Sequence, residues 1–507
     1  MCTDKSVCAT LRAVKSRSLV RRVLFAVLTV ASSAFAADAT PPLREVLFAM
    51  PKGGDLHNHL SGAAYAESFL EFARRDGLCL DTQQFAITQC PAQPTDTIVP
   101  AGNAFIDSNL YSRMLDAMSM RQFRPGAESG HDHFFATFGK FGAVTRKHLP
   151  EILTEVVSRL ATENVDYLET MFSSDLGARL VLVPMIFGTT FIQMYDSIVR
   201  DPVGVKKLDE VVAIARKNLD DAESYMRTTL RCGTSEAKPG CDSTVRYIHE
   251  LSRGTPREAF FASLIVGYRL ASIDSRVVAL NPVMPEDGYL SMTQFDEQMR
   301  MFVFFHEIYP KVHLTIHAGE LALGLVPIEG LRYHIRDSVM VAGAERIGHG
   351  VDIAYERDAT ELLKTMASRG VAVEICLTSN DLILGVRGKE HPLRMYLAAA
   401  VPVALATDDA GVSRDDMTNQ YVRAVQDQGL NYEQLKQIAR NSLEYSFAEG
   451  ESLWANHDYD AMNAACASER TFARCSSFLS RNTKARVEWR LEQRFKEFET
   501  KYGDSLP

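Results

Sequence analysis

Apolar residues gather along this chain in short runs rich in strand-forming side chains, each followed by a stretch of helical periodicity. The runs fall at Asp55 to His59, Val165 to Phe172, Phe260 to Tyr268, Val277 to Leu280, Val312 to His317, Arg346 to His349, Val371 to Leu377 and Val401 to Thr407. Strands alternating with helices imply a parallel sheet, and eight such units predict closure into an α/β fold of the (β/α)8 TIM barrel type. Residues 60–164, between the first two runs, far exceed an ordinary connection and predict a helical insertion or lid after the first strand. Its Phe105, Tyr111, Phe123, Phe134, Phe135 and Phe138 could wall a pocket for a planar ring or form a small helical subcore. A helix over Ala485 to Tyr502, apolar at Val487, Leu491, Phe495 and Phe498, ends a set of C-terminal helices (416–507) that pack outside the barrel. No repeat or long linker divides residues 37–507, which read as one domain.

The first 36 residues follow a different pattern. A basic stretch (Lys5, Arg12, Lys15, Arg17, Arg21, Arg22) leads into an apolar run from Val23 to Val30 and ends at Ala34-Phe35-Ala36. That is the order of a secretory signal cut after Ala36, with export to a periplasmic or extracellular destination. A membrane anchor needs roughly 20 apolar residues, and Ser32, Ser33 and Asp38 close this run too early, so no stable anchor is expected after cleavage. Arg21-Arg22 leaves both the general and the twin-arginine routes open.

Without those residues the chain keeps 49 Lys/Arg against 63 Asp/Glu, a net charge of −14, which argues against nucleic acid as a partner. Of the seven remaining cysteines, six fall in close pairs: Cys79/Cys90, Cys232/Cys241 and Cys466/Cys475. In an exported chain they predict three local disulfides, and Cys376, inside an apolar run, is expected as a buried thiol. None of the pairs has the C-x2-C or C-x4-C spacing of a zinc site.

The chemistry concentrates at the ends of predicted strands. Asp55-Leu56-His57-Asn58-His59 places two imidazoles on one face of a strand, able to grip one ion. With 13 histidines in 507 residues, chance alone yields roughly a third of an H-x-H, and a second pair, His131-Asp132-His133, occurs in the insertion. That second pair follows a polar turn and opens a helical pattern, so it reads as structural or surface. The first gains weight from His317-Ala318-Gly319-Glu320, Gly348-His349-Gly350 and Thr407-Asp408-Asp409, each following an apolar run. Histidines and a carboxylate can hold zinc with one position left for water, whose pKa then falls to about 7. Glu320, His349 and Asp409 would remain for proton transfer and substrate orientation.

This set resembles the adenosine deaminase branch of the amidohydrolase superfamily. Met50 to His59 is similar in particular to the secreted, growth-factor-related deaminases and their bacterial relatives. The resemblance implies one Zn2+ per chain on His57, His59, His317 and Asp408, matching the family's H-x-H, H-A-G-E and D-D motifs. It implies that Glu320 protonates purine N1 as C6 is attacked, that His349 orients and deprotonates the water, and that Asp409 bonds N7. Ser379 and Asn380 would support the site.

The expected activity is deamination of adenosine and 2′-deoxyadenosine to the inosine form plus ammonia. Two departures bear on the substrate. Ser61 stands where the adenosine-specific enzymes carry an aspartate associated with ribose, and Met284 stands where they carry a purine-contacting glycine. Glu286 either approaches the pocket or sits on a surface loop, the commoner place for an acidic side chain. Deamination of adenine or another 6-aminopurine is the alternative, and a non-catalytic exported nucleoside-binding or signalling protein a further one. The intact set from His57 to Asp409, Glu320 above all, argues against the last. The H-x-E and P-C-x-x-C signature of the cytidine-type deaminases is absent. A purine nucleoside is thus the expected small-molecule partner, with the insertion available for homodimer contacts.

Overall fold

The barrel is built from β1 (Gly53–His59), β2 (Val165–Phe172), β3 (Thr244–Ser252), β4 (Val277–Val283), β5 (His313–Ala318), β6 (Arg346–His349), β7 (Ala372–Ile375) and β8 (Val403–Leu405). All neighbours pair in parallel and in chain order. A parallel bridge between Asn58 and Asp408 joins the last strand end to the first. This computed structural model describes residues 41–93, 95–467 and 472–507, and the signal segment expected over 1–36 lies outside them. Among the described residues no helix is long and apolar enough to cross a membrane.

One expected strand is corrected. Phe260 to Tyr268 is helical, within Arg257–Ile273, and the third strand is Thr244–Ser252. Phe260 through Tyr268 are all buried, so the helix shows no polar face and its periodicity vanishes into an apolar run. The true strand was obscured by Arg246, His249 and Glu250, polar side chains placed within it.

The insertion is only partly helical. Its helices Leu60–Ala63, Ala66–Arg75, Ser108–Ala117, Gly130–Thr145 and Leu149–Thr162 accompany a small antiparallel sheet of Cys79–Asp81, Ala86–Thr88 and Ile98–Pro100. Phe69 stacks on Phe141 at 4.5 Å, and both belong to an apolar core continuous with that of the barrel. The disulfides Cys79–Cys90, Cys232–Cys241 and Cys466–Cys475 are formed, and Cys376 is a buried free thiol. Past residue 416 the helices are joined by a hairpin, Trp454–Ala455 with Asp458–Met462. The last helix, Thr483–Tyr502, buries Val487, Leu491, Phe495 and Phe498 outside the barrel, each contributing on the order of 2 kcal/mol.

Inside the barrel, Arg346 is buried and donates to Glu169 and Glu374, both at 2.6 Å. This ion triad ties β2, β6 and β7 together beneath the strand ends. Removing one partner would strand an uncompensated charge in a low-dielectric interior.

Candidate metal centre and active site

β1 is buried along its whole length, and its period-2 geometry turns His57 and His59 inward on one side. Asn58 faces the other way, donating to Thr407 at 3.2 Å and accepting from Thr170 at 2.8 Å. The bridge to Asp408 then completes the site, with Asp408 N–H donating to the His57 carbonyl at 2.8 Å. Asp408 holds a left-handed backbone (φ 56°), as does His349 (φ 68°). Such conformations in non-glycine residues cost about 1–3 kcal/mol and persist where surrounding structure imposes them.

Three imidazoles are aimed by their outer nitrogens. His57 Nδ1 lies 2.6 Å from Glu374 Oε2, His59 Nδ1 3.2 Å from Glu250 Oε1, and His317 Nδ1 2.7 Å from Asn281 Oδ1. Each partner is an acceptor, so each Nδ1 carries the proton and each Nε2 lone pair faces the centre. The Nε2 atoms of His59 and His317 approach to 3.1 Å, close enough that the pair must share either a proton or a cation. His57 Nε2 is buried without a hydrogen-bond partner. Asp408 Oδ1 stands 3.7 Å from His57 Nε2 and 3.5 Å from His59 Nε2. Three nitrogens and a carboxylate oxygen converging this way fit a divalent metal with nitrogen preference. Burial would raise the Glu374 carboxyl, but Arg346 and His57 override it and hold it at about 2, so this support stays ionised.

Glu320 follows β5 at a glycine turn. Gly319 has φ +77°, and a Cβ there would press on Asp352 Oδ1 at 2.5 Å. Glu286, far from being a surface carboxylate, is 2% exposed and accepts from the Gly319 and Glu320 N–H groups at 3.0 and 2.8 Å. It also pairs with His334 Nδ1 at 2.5 Å, so it orients the backbone that carries Glu320. Burial, with Asp408 and Glu286 nearby, pushes the Glu320 carboxyl well above the usual range, favouring its protonated form at neutral pH.

The proton position on His349 follows from a chain anchored in the backbone. Leu393 N–H donates to His391 Nδ1 (3.2 Å), His391 Nε2–H to Asn380 Oδ1 (3.1 Å), and the Asn380 amide to His349 Nδ1 (2.9 Å). His349 Nδ1 is therefore an acceptor, and the neutral ring presents Nε2–H toward Glu320, whose Oε1 is 3.7 Å away. Burial and the neighbouring His57 lower its pKa to about 3, keeping it neutral.

These groups open on a cavity of about 340 Å³ lined by His59, Ser61, Glu250, Met284, His317, Glu320, His349, Asp408 and Asp409. Phe134, Phe135 and Phe138 of the insertion form its apolar wall, whereas Phe105, Tyr111 and Phe123 do not line it. Met284 sits at φ 93°, a conformation that favours glycine. Asp409 Oδ1 is buried without a partner. Gly62 makes room for that carboxylate, since a Cβ there would lie 1.7 Å from Asp409 Oδ1. His131 and His133 lie apart: His131 engages Asp132 and Asp287, and His133 engages Glu128 and the carbonyls of Asp116 and Ser119.

A family model described as adenosine deaminase matches residues 122–453, more than half of the chain. The chain belongs to the adenosine deaminase family. The matched span begins after β1, so it takes in His317, Glu320, His349, Asp408 and Asp409 but not His57 or His59. An adenosine deaminase of Clostridium perfringens (strain ATCC 13124) is 24% identical over 398 residues, 78% of this chain and 94% of that one. Adenine deaminase from Arthrobacter aurescens shares the fold at a TM-score of 0.50 and 16% identity, covering 79% of this chain and 94% of that structure. An amidohydrolase from Burkholderia ambifaria with bound zinc matches at 0.51 and 15%, covering 90% and 97%. This member of the family is an adenosine-deaminase-type hydrolase on a (β/α)8 barrel.

Sequence reasoning missed Glu250, Asn281 and Glu374, the acceptors behind the three histidines. Their signal was present: each is a polar residue inside a strand buried around it.

Proposed function

We propose that the protein catalyses zinc-dependent hydrolytic deamination of adenosine and 2′-deoxyadenosine to the corresponding inosine and ammonia. The observation that carries this reading is the convergence of three Nε2 lone pairs and Asp408 beside a carboxyl, Glu320, that burial keeps protonated. His57, His59, His317 and Asp408 would hold one zinc ion. When bound, the ion supplies a Lewis acid that makes water nucleophilic near neutral pH and steadies charge at the attacked carbon.

The protein's own groups do the rest. Glu320 delivers its proton to purine N1 as C6 is attacked, and Glu286 keeps it in place. His349 Nε2–H donates to the oxygen of the attacking water and fixes its approach. With that nitrogen already protonated, it does not deprotonate the water as the resemblance implied; the water's proton passes to the ionised Asp408 carboxylate and on to the amine, which leaves as ammonia. Burial and Asp408 raise the Asp409 carboxyl well above its ordinary value, so Asp409 can donate to N7 from inside the cavity. The phenyl wall covers the ring face and excludes water. Three disulfides support export of the mature chain, because such bonds persist in oxidising compartments.

Ultraviolet absorbance of adenosine, 2′-deoxyadenosine and adenine with purified protein, before and after chelation, tests the reading. Loss of the adenosine band, abolished by the chelator, is expected. Conversion of adenine alone would replace adenosine with the free base, and inertness toward all three in zinc-loaded protein would leave a binding protein.

A further inference from the structure

A second cavity, of about 220 Å³, adjoins the catalytic one, and the two share Ser61 and Glu250 as walls. Their chemistry differs sharply. Among the described residues no lysine or arginine lines the catalytic cavity, whose charged groups other than histidine are the carboxylates of Glu250, Glu320, Asp408 and Asp409. The adjoining cavity is lined instead by Arg146 and Arg179, with the hydroxyl residues Ser61, Thr145 and Ser173. Arg179 is fixed by Asp175, 2.6 Å from its Nη1, with its side chain 13% exposed. Arg146 has no carboxylate partner among the described residues, and its guanidinium lies over Gly177, within 3.6 Å of where a Cβ would stand. The one carboxylate on this wall, Glu250, is turned to His59 Nδ1 at 3.2 Å.

We propose that this adjoining cavity is an anion subsite that takes a phosphate-class group, carried on the sugar end of the purine ligand or free in solution. The inference rests on the deaminase reading for the identity of the purine. Guanidinium groups match phosphate oxygens in charge and in planar fork geometry. A ligand whose ring sits against Phe134 and Phe138 meets carboxylates throughout the catalytic cavity. Its first cations lie past the shared wall at Ser61, where the sequence places serine rather than a repelling carboxylate. The subsite therefore extends the substrate class to 6-aminopurines bearing an anionic group away from the reacting edge.

The test is calorimetric titration of the zinc-loaded protein at low ionic strength with inosine, inosine 5′-monophosphate and inorganic phosphate. Binding of these products needs no turnover, and adenosine deamination by the same preparation reports separately on the catalytic reading. The monophosphate is expected to bind about 10-fold tighter than inosine, and Arg146→Met, at an exposed position, should bring that ratio close to one. Heat from inorganic phosphate alone, lost in Arg146→Met and without an advantage for the monophosphate, would assign the subsite to a free anion. No advantage and no phosphate heat, or effects that survive Arg146→Met, would overturn the proposal.

Discussion

Two H-x-H segments occur in this chain, and only one belongs to the site. His57 and His59 lie on a strand, where alternate residues share a face, and their rings converge with His317 on one point. His131 and His133 lie in the first turn of helix Gly130–Thr145, where residues two apart point about 200° away from each other. The strand pair also has Glu374 and Glu250 behind it as acceptors that turn both Nε2 atoms inward. The helical pair spends its nitrogens on different carboxylates and carbonyls. A motif becomes a site when its element gives it a shared face and its neighbours fix its protons.

The sharpest way to break the contrast is to keep composition and change the face. His57→Asn together with Asn58→His moves one imidazole to the opposite side of β1, and metal content measured by atomic emission should fall below detection. His131→Ala with His133→Ala should keep full occupancy and change unfolding free energy by only about 1 kcal/mol in a denaturant titration. Glu320→Gln separates binding from chemistry: metal should remain while kcat falls on the order of 10²–10⁴-fold, and full activity in that variant would sink its role as proton donor.

Smaller effects sharpen the role of the supporting residues. Gly62→Ala drives a methyl into Asp409, and displacement of that carboxylate should lower kcat/KM on the order of 10²-fold without loss of metal. Glu374→Gln removes the ionised acceptor behind His57, and competition with a chelator should show a 10–100-fold weaker metal affinity.

Much of this arrangement was legible in the sequence. The eight-strand plan, the His57/His59 pair and the residues at three further strand ends follow from local apolar runs and from where polar chemistry interrupts them. Placing Phe260 to Tyr268 in a strand failed because a helix buried on every side has no periodicity to show. The partners of Glu250, Asn281, Glu286 and Asn380 were illegible for another reason, although the residues themselves stood out as polar positions in or beside apolar runs. Each acts on a residue between 11 and 191 positions away, and only the closed barrel makes them neighbours. Met284 shows an intermediate case: its departure from glycine was visible, but its left-handed backbone at the cavity wall was not.

Adenosine turnover as zinc is titrated into chelator-stripped protein tests the central claim most directly. The account predicts no turnover at the start, a rise with added zinc and saturation at one ion per chain. Full turnover in the stripped protein, or none at saturating zinc, would contradict it.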